Sequence, residues 1–159
     1  MEKQRHGFVT FWLWLGIIGS VISIPVSIVT YQNMTNLGNL GMQLIIAGVD
    51  ITPFSEAIDS HVLIWQIVAA ISGICMIVFY SKLLKWQKSG FWGLVITAVI
   101  VAVINVIMMN LIQQDYALVG LTYNINPIAQ VIATPLSLLI LWAILQIKKG
   151  DISCWKQLE

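Results

Sequence analysis

The chain has 159 residues, of which 58% are hydrophobic and 9% are charged, and its formal net charge is +1. Soluble domains carry about 25% charged residues, and a domain of this size exposes a large part of its surface to solvent. This composition excludes an ordinary soluble fold and favours lipid as the solvent. The small net charge gives no basic field, which argues against nucleic-acid binding.

Four uncharged apolar runs have the length of transmembrane helices. About 20 helical residues, rising 1.5 Å each, cross a hydrocarbon core of roughly 30 Å. Barrel strands would alternate apolar and polar residues, and these runs do not. The sequence therefore predicts an all-α integral membrane protein, a four-helix transmembrane bundle forming a single domain over residues 1–159. The predicted spans cover residues 8–29, 62–80, 91–112 and 128–147.

The first run follows a basic leader, as the apolar stretch of a secretory signal does. It contains 22 uncharged residues, whereas the apolar stretch of a signal spans about 7–15. We expect it to remain as the first helix. Cleavage is the alternative, and it would leave three spans with the same basic turns.

Basic residues are confined to alternate connections. They lie in the leader, the hairpin 81–90 and the tail 148–159, and none lies in the loops 30–61 or 113–127. Because cationic connections stay on the cytoplasmic side, both termini are predicted inside and the two loops outside. The lysines predicted to set this topology are Lys82, Lys85, Lys88, Lys148 and Lys149.

A stripe of small residues follows one face of each predicted helix. In lipid, helices associate through close backbone approach and interhelical hydrogen bonds, so small residues are favoured at contacts. The stripes predict a compact bundle. They consist of Gly16, Ser20, Ser23 and Ser27; Ala69 and Gly73; Ala98, Ala102 and Asn105; and Ala129, Ala133 and Ser137.

The polar residues within the predicted spans are uncharged amides and hydroxyls. A proton or ion pathway normally contains an ionisable residue within the span. Two interpretations are open: these side chains form hydrogen bonds between helices, or they form a small polar pocket in the outer half of the bundle. The pocket residues would be Gln66, Asn105, Asn110 and Gln130, with His61 nearby.

Catalytic and metal-binding patterns are missing from the sequence. His6 and His61 lie at opposite predicted faces and cannot form a metal pair. No HExxH, GxSxG, Cys-x-x-Cys or P-loop pattern occurs. Cys75 lies in an apolar run and Cys154 in the tail, which predicts neither a disulfide framework nor a zinc site. We therefore predict no enzyme, no metal and no cofactor.

One group of titratable residues precedes the second span. Glu56, Asp59 and His61 lie within six residues of one another. They either form an acid–base group or cap the second helix in solvent, with Ser60 or Asp59 as the N-cap residue.

The loop 30–61 is long for an unstructured connection. It contains the short apolar segment GMQLIIAG at 41–48, which suits an interfacial helix or a flap over the bundle. Such a loop either docks a partner or caps its own bundle. The residues predicted for docking are Met42, Leu44 and Ile45, with the acids Asp50, Glu56 and Asp59 favouring a basic partner.

Three stretches carry a resemblance to other membrane proteins: RHGFVTFWLWLGII at 5–18, LLKWQKSGFWGLVI at 83–96 and LWAILQIKKGDISCWKQLE at 141–159. They resemble an uncharacterised group of small bacterial four-span membrane proteins with a basic KW-x-K-x-G-aromatic hairpin and a QIKK…W-x-Q-L tail. The resemblance covers both cytoplasmic elements and three of the four spans, and it is weaker across the first outer loop. It implies the topology, a bacterial origin and a defined place for the tail, and it brings no activity or catalytic residues.

Three functional hypotheses fit the sequence. The leading one is a non-enzymatic, multi-pass protein of the bacterial cytoplasmic (inner) membrane that binds a protein or ligand, such as an accessory subunit or an immunity or effector partner. The second is a small channel or carrier formed by an oligomer of four-span bundles. The third, an intramembrane enzyme, lacks the expected motifs. The predicted partners are the lipid bilayer, a protein at the outer loop and further copies of the chain.

Overall fold

The structure is a computed structural model in which residues 6–35, 48, 50–120, 127–149 and 152–158 are described. Within these ranges the chain forms four α-helices, a two-stranded antiparallel hairpin and a 3₁₀ turn. The elements are α1 (Gly7–Thr35), α2 (Thr52–Leu84), α3 (Ser89–Leu118), α4 (Pro127–Leu145), β1 (Lys148–Lys149), β2 (Ile152–Ser153) and the 3₁₀ turn Trp155–Gln157. The predicted helical bundle is confirmed.

Three of the helices are long and apolar enough to cross a membrane, by length and composition. These segments are Gly7–Val29, Phe54–Leu84 and Ser89–Leu118. In α4, the apolar segment whose side chains are described covers only Pro135–Leu145, which is shorter than the other three. Many large apolar side chains of these helices face outward, as expected where lipid rather than water is the solvent.

The helices extend beyond the predicted spans. With 33 residues, α2 is about 50 Å long at 1.5 Å per residue, well over the roughly 30 Å of a hydrocarbon core. Residues 52–61, which were predicted as part of a loop, form its first turns, and residues 113–118 form the last turns of α3. We call this end of the bundle the acidic end, because Asp50, Glu56, Asp59 and Asp115 lie there, and the opposite end the basic end.

The start of α2 contradicts the predicted N-cap at Ser60 or Asp59. The helix begins at Thr52, with a proline in its first turn, and the Thr52 backbone N–H donates to Asp50 Oδ1 at 2.9 Å. Two turns later, the Ser60 hydroxyl donates to the carbonyl of Glu56 at 3.1 Å, as in a helix interior. The N-cap prediction is wrong because charged residues such as Glu56 and Asp59 suit the solvent-facing side of a helix as well as its start.

A buried stripe explains why α2 extends so far. Phe54, Ile58 and Val62 follow one another at the spacing of a helical face, and each is at most 1% exposed. They pack against Ile112 of α3 and Val119 just after it, forming the core of the acidic end. Burial of these apolar side chains stabilises two helix ends that would otherwise lie separately in solvent.

The part of the predicted α1 stripe around Gly16 and Ser20 faces α2. A Cβ atom added to Gly16 would lie 2.5 Å from the Tyr80 ring, and one added to Gly73 would lie 3.3 Å from the Ser20 carbonyl oxygen. Ser20 is buried, whereas Ser23 is exposed at the edge of the contact. The order of these contacts shows that α1 and α2 run antiparallel.

The turn between α2 and α3 brings the two helices into close contact. A Cβ atom on Gly90 would lie 2.6 Å from the Phe79 carbonyl oxygen and 2.8 Å from the Leu83 nitrogen. Trp86, at φ 65°, occupies the left-handed position that usually holds glycine after a helix. The backbone N–H groups of Trp86 and Gln87 donate to the carbonyls of Leu83 and Lys82, which satisfies the last turn of α2.

The core of the basic end joins all four helices and the tail. Cys154 and Leu158 of the tail are buried in it together with side chains from each helix. The Trp155 ring lies edge-on to Phe91, with centroids 5.0 Å apart. The tail thus has a defined place against the bundle. The helix residues of this core are Val9, Leu13, Leu83, Phe91, Leu94, Leu141, Ile144 and Leu145.

The described part of α4 is buried at the basic end and exposed further along the helix. Leu141, Ile144 and Leu145 of α4 are buried at the basic end, whereas Leu136 and Leu139 are more than half exposed. Ser137, predicted for the small-residue contact of α4, is exposed. The side chains of Ala129 and Ala133, the other members of that stripe, lie outside the described residues, so the α4 stripe stays a prediction.

Candidate functional site

The most distinctive polar arrangement of the described chain joins α2 to α3 at the acidic end. His61 Nδ1 lies 2.7 Å from Asp115 Oδ2. When the carboxylate is ionised, the Nδ1–H group of His61 donates the hydrogen bond to Asp115, and Nε2 takes no part in it. A short, charge-assisted hydrogen bond of this kind fixes the ring orientation and ties the two helices together.

The two partners differ in exposure. Asp115 is 4% exposed, whereas the His61 side chain retains 28% of its surface. Tyr116, next to Asp115 in the sequence, meets the Phe54 ring edge-to-face with centroids 5.1 Å apart. A carboxylate buried beside aromatic and aliphatic groups needs a donor, because an unpaired buried charge is costly. His61 supplies that donor and has one side open to the surroundings.

Exposed carboxylates lie beside this pair. Glu56 and Asp59 are exposed on the first turns of α2. Asp50 precedes them, and the Thr52 backbone N–H lowers the pKa of its carboxyl, since hydrogen bonding stabilises the ionised form. The resulting stabilisation of the helix start is present above the ordinary carboxyl pKa and is lost as the pH falls through the lowered value.

The described residues of the predicted polar pocket differ in their hydrogen-bond partners and exposure. Asn105 accepts a hydrogen bond from Trp65 Nε1 at 2.8 Å, which links α2 and α3 near their middle. Asn110 is exposed and donates to the Val106 carbonyl of its own helix. Gln66 is half-buried, and the side chain of Gln130 lies outside the described residues. His61, the remaining member, pairs with Asp115 instead.

The predicted docking loop falls only partly within the described chain. Met42, Leu44 and Ile45 lie outside the described residues. Its three acids, Asp50, Glu56 and Asp59, are exposed and belong to the start of α2 or the residues just before it. In the described part, the acidic surface is therefore a helix face rather than a loop.

The predicted topology lysines lie at the basic end. The Lys88 ammonium sits 4.8 Å from the centroid of the Trp155 ring, and that of Lys82 sits 5.5 Å from the centroid of Phe79. Lys85 is exposed just after α2. The remaining two, Lys148 and Lys149, form β1.

Sequence reasoning missed the partners Asp115 and Trp65. A usable signal was present in the hairpin geometry. In an antiparallel helix pair, residues at similar distances from the turn lie at similar heights, and Asp115 is nearly as far after Trp86 as His61 is before it. The distance gives the height but not which face of each helix is inward, and that face decides whether two side chains meet.

The His61–Asp115 hydrogen bond joins α2 and α3 beside the exposed carboxylates of Glu56 and Asp59. A carboxylate-oriented imidazole can act as a base, but nucleophilic catalysis also needs a nucleophile beside its free nitrogen. Among the described residues, no group of three or more His, Cys, Asp or Glu could hold a metal ion.

No protein-family model, curated protein or solved structure matches this chain. Its class is defined by its own architecture: a helical bundle with three helices that can cross a membrane by length and composition. No activity, substrate or partner is transferred from a relative.

Proposed function

We propose that this chain is a non-enzymatic, multi-pass protein of the bacterial cytoplasmic membrane that works by binding a partner at its acidic end. Accessory subunits and immunity or effector partners act in this way. The proposal includes four spans, with α4 as the fourth, and places the acidic end outside. Its support is the separation of charge, because the described lysines gather at the end opposite to the exposed acids.

The observation that carries the proposal is that exposed carboxylates lie on α2, whose opposite face packs against α3. Glu56 and Asp59 are exposed, while Phe54 and Ile58 on the same turns are fully buried against α3. The His61–Asp115 hydrogen bond adds a second attachment one turn further on. A surface ordered in advance loses less conformational entropy on binding.

The charge of this surface defines the chemistry of the partner. Two exposed carboxylates favour a basic partner and repel an acidic one, and they act mainly on association rate and specificity. The partner would meet the acids at the membrane surface, since α2 extends past its predicted span there. A basic segment of another membrane or envelope protein fits these requirements.

The experiment compares cross-linked partners of variants that leave the lysine pattern intact. The Glu56→Gln/Asp59→Asn double variant removes two charges without adding a base, so the orientation signal is unchanged. A matched control, Ser60→Ala/Gln114→Ala, alters two exposed residues of the same end without changing charge. Cross-linking in intact cells, followed by quantitative mass spectrometry, measures each partner.

We expect one partner to be captured equally by the wild type and the control and at least fivefold less by the charge variant. Identical capture by all three proteins would contradict binding through these carboxylates. Selective ion or solute flux through the purified protein in vesicles would replace the proposal with the channel or carrier hypothesis. Equal amounts of inserted protein must be verified for each variant.

A further inference from the structure

A wide apolar groove lies between α3 and the exposed part of α4. Its volume is about 700 Å³, within the range of sites that hold one small ligand. None of its lining residues is charged. They are Phe91, Trp92, Val95, Ala98, Val99, Ala102 and Val103 of α3, with Pro135, Leu138, Leu139 and Trp142 of α4.

The shape of the groove follows from its side chains. Ala98 and Ala102 keep the α3 wall low, so the opening is deep rather than filled. Trp92 and Trp142 stand at the basic end of the groove and are about half exposed. Because indole rings favour the headgroup level of a membrane, they mark the depth at which the groove begins.

The length of the groove corresponds to one leaflet. From Trp92 to Val103 the α3 wall rises by about 16 Å at 1.5 Å per residue. Half of a hydrocarbon core of roughly 30 Å is about 15 Å. A groove that starts at the interface and ends near the midplane has the dimensions of an acyl chain.

A positive charge lies near the interfacial mouth of the groove, because Lys88 precedes the lining residue Trp92 by about one helical turn. Phe91 lines the groove and also contacts the Trp155 ring, with centroids 5.0 Å apart. The Lys88 ammonium lies 4.8 Å from the centroid of the same Trp155 ring. One aromatic pair therefore links the apolar wall to a cation, and basic sites between membrane helices on the cytoplasmic side suit anionic headgroups.

We propose that this groove binds one anionic phospholipid, with an acyl chain between α3 and α4 and the headgroup phosphate at Lys88. The inference goes beyond partner binding at the acidic end, because it concerns the opposite end and a different ligand. The tail contributes directly, since Trp155 holds the Lys88 side chain at the mouth. Charge complementarity distinguishes this ligand from a neutral lipid that merely surrounds the protein.

The test measures lipid retained by the purified full-length protein. Dioleoyl phosphatidylglycerol and dioleoyl phosphatidylcholine are added in equal amounts to the protein in detergent, and bound lipid is counted by native mass spectrometry. We expect the wild type to retain one lipid and to prefer phosphatidylglycerol about fivefold, the effect of roughly one lysine near a headgroup. Equal retention of the two lipids by the wild type would overturn the proposal.

Two charge variants test the headgroup contact. Lys88→Gln should lose the preference for phosphatidylglycerol, whereas Lys88→Arg should keep it, because arginine retains the charge and stacks on aromatic rings. Lys85→Gln is the matched control, since Lys85 is exposed and lies three residues away. An equal loss in Lys85→Gln and Lys88→Gln would indicate a diffuse charge effect and refute the specific site.

Two filling variants test the acyl-chain contact. Ala102→Phe fills the groove from its floor, and Val103→Trp fills it from an exposed wall with less risk to packing. Both should lose the bound lipid. Gly19→Phe is the matched control, because Gly19 is exposed on α1 and a Cβ atom added there meets nothing within 4 Å. Lipid binding by a properly folded Val103→Trp protein would contradict the proposal. A wild-type dimer that contains no lipid, and that Val103→Trp converts to monomers, would also contradict it.

Discussion

At the scale of single residues, the polar side chains of the described helices meet in pairs across the α2–α3 contact. His61–Asp115 joins the helices at the acidic end, and Trp65–Asn105 joins them near the middle. Several serines instead donate to carbonyls of their own helix, as Ser20 does to Gly16. Of the intramembrane amides, Asn105 fits the interpretation as an interhelical hydrogen-bond partner, whereas Asn110 bonds its own helix. Each interhelical pair is separately testable.

The His61–Asp115 pair should respond asymmetrically to truncation. His61→Ala leaves a buried carboxylate without its donor and should cost about 3 kcal/mol. Asp115→Ala leaves only a half-buried imidazole and should cost about 2 kcal/mol. Unfolding of the purified proteins in detergent measures both values. Asp59→Ala, at an exposed position, is the control and should stay within about 0.5 kcal/mol of the wild type.

The double variant His61→Ala/Asp115→Ala completes the cycle. Because the two side chains contact each other, the combined cost should fall below the sum of the single costs by about 1–3 kcal/mol. Strictly additive costs would show that the hydrogen bond does not couple the two helices in the folded protein.

The Trp65–Asn105 hydrogen bond should contribute a smaller amount. Trp65→Phe keeps the aromatic packing but removes the Nε1 donor, and it should cost about 1 kcal/mol, in the range found for hydrogen bonds between membrane helices. Adding Asn105→Leu should bring little further loss, since the acceptor is then no longer left unpaired. Asn110→Leu is the control, because that amide bonds only its own helix in the described contacts. Equal destabilisation by Asn105→Leu and Asn110→Leu in otherwise wild-type protein would argue against the bond.

At the scale of elements, the α2–α3 hairpin is the framework to which the other parts attach. α1 packs along α2, α4 joins α3, and the tail covers the basic end beside their turn. The hairpin depends on a close approach at its turn, where the Gly90 Cα faces backbone atoms of Phe79 and Leu83. Backbone atoms cannot rotate away as a side chain can, so this contact should be sensitive to one added carbon.

Gly90→Ala should therefore destabilise the bundle by about 1–3 kcal/mol, the usual cost of overpacking. Gly19→Ala is a matched control within a helix, because a Cβ there meets nothing within 4 Å. It should be neutral or stabilising by up to about 1 kcal/mol through its better helix propensity. Thermal unfolding in detergent compares the two variants. A Gly90→Ala protein as stable as Gly19→Ala would mean that the helices do not approach so closely.

At the scale of the whole molecule, the two ends of the bundle differ in charge and in the way they are closed. The acidic end is held by apolar contacts and one buried hydrogen-bonded pair between two helices. The basic end is a larger core that includes the folded tail. Because the charges are separated by the length of the membrane helices, orientation in the bilayer decides which end each partner meets.

Cysteine labelling measures that orientation. A membrane-impermeant maleimide applied to intact cells should label Leu118→Cys at the acidic end and miss Ser89→Cys at the basic end, with Ser89→Cys labelled after permeabilisation. Both positions are exposed at helix ends, and the native Cys154 is buried. Labelling the untreated parent protein controls for the native cysteines. Reaction of Ser89→Cys in intact cells would invert the proposed topology and move the acidic surface to the cytoplasm.

The sequence by itself determined the helical class, the membrane-length helices and the separation of charge between connections. These features are local, because the length of an apolar run and the cost of exposed backbone in lipid act on each segment separately. The α1 stripe at Gly16 and Ser20 was also predictable, since a helix repeats its face every 3.6 residues. The start of α2 was readable from the spacing of Phe54 and Ile58, but the neighbouring charges Glu56 and Asp59 obscured it.

Only the tertiary structure decided which residues meet. His61 and Asp115 are 54 positions apart, and Trp65 and Asn105 are 40 apart, so their contact depends on the relative rotation of two helices rather than on either sequence segment. The groove between α3 and α4 likewise depends on how two helices pack, because Leu141, Ile144 and Leu145 of α4 are buried whereas Leu136 and Leu139 are exposed. Helix phase and crossing angle follow from packing of all side chains at once, and no local pattern contains them.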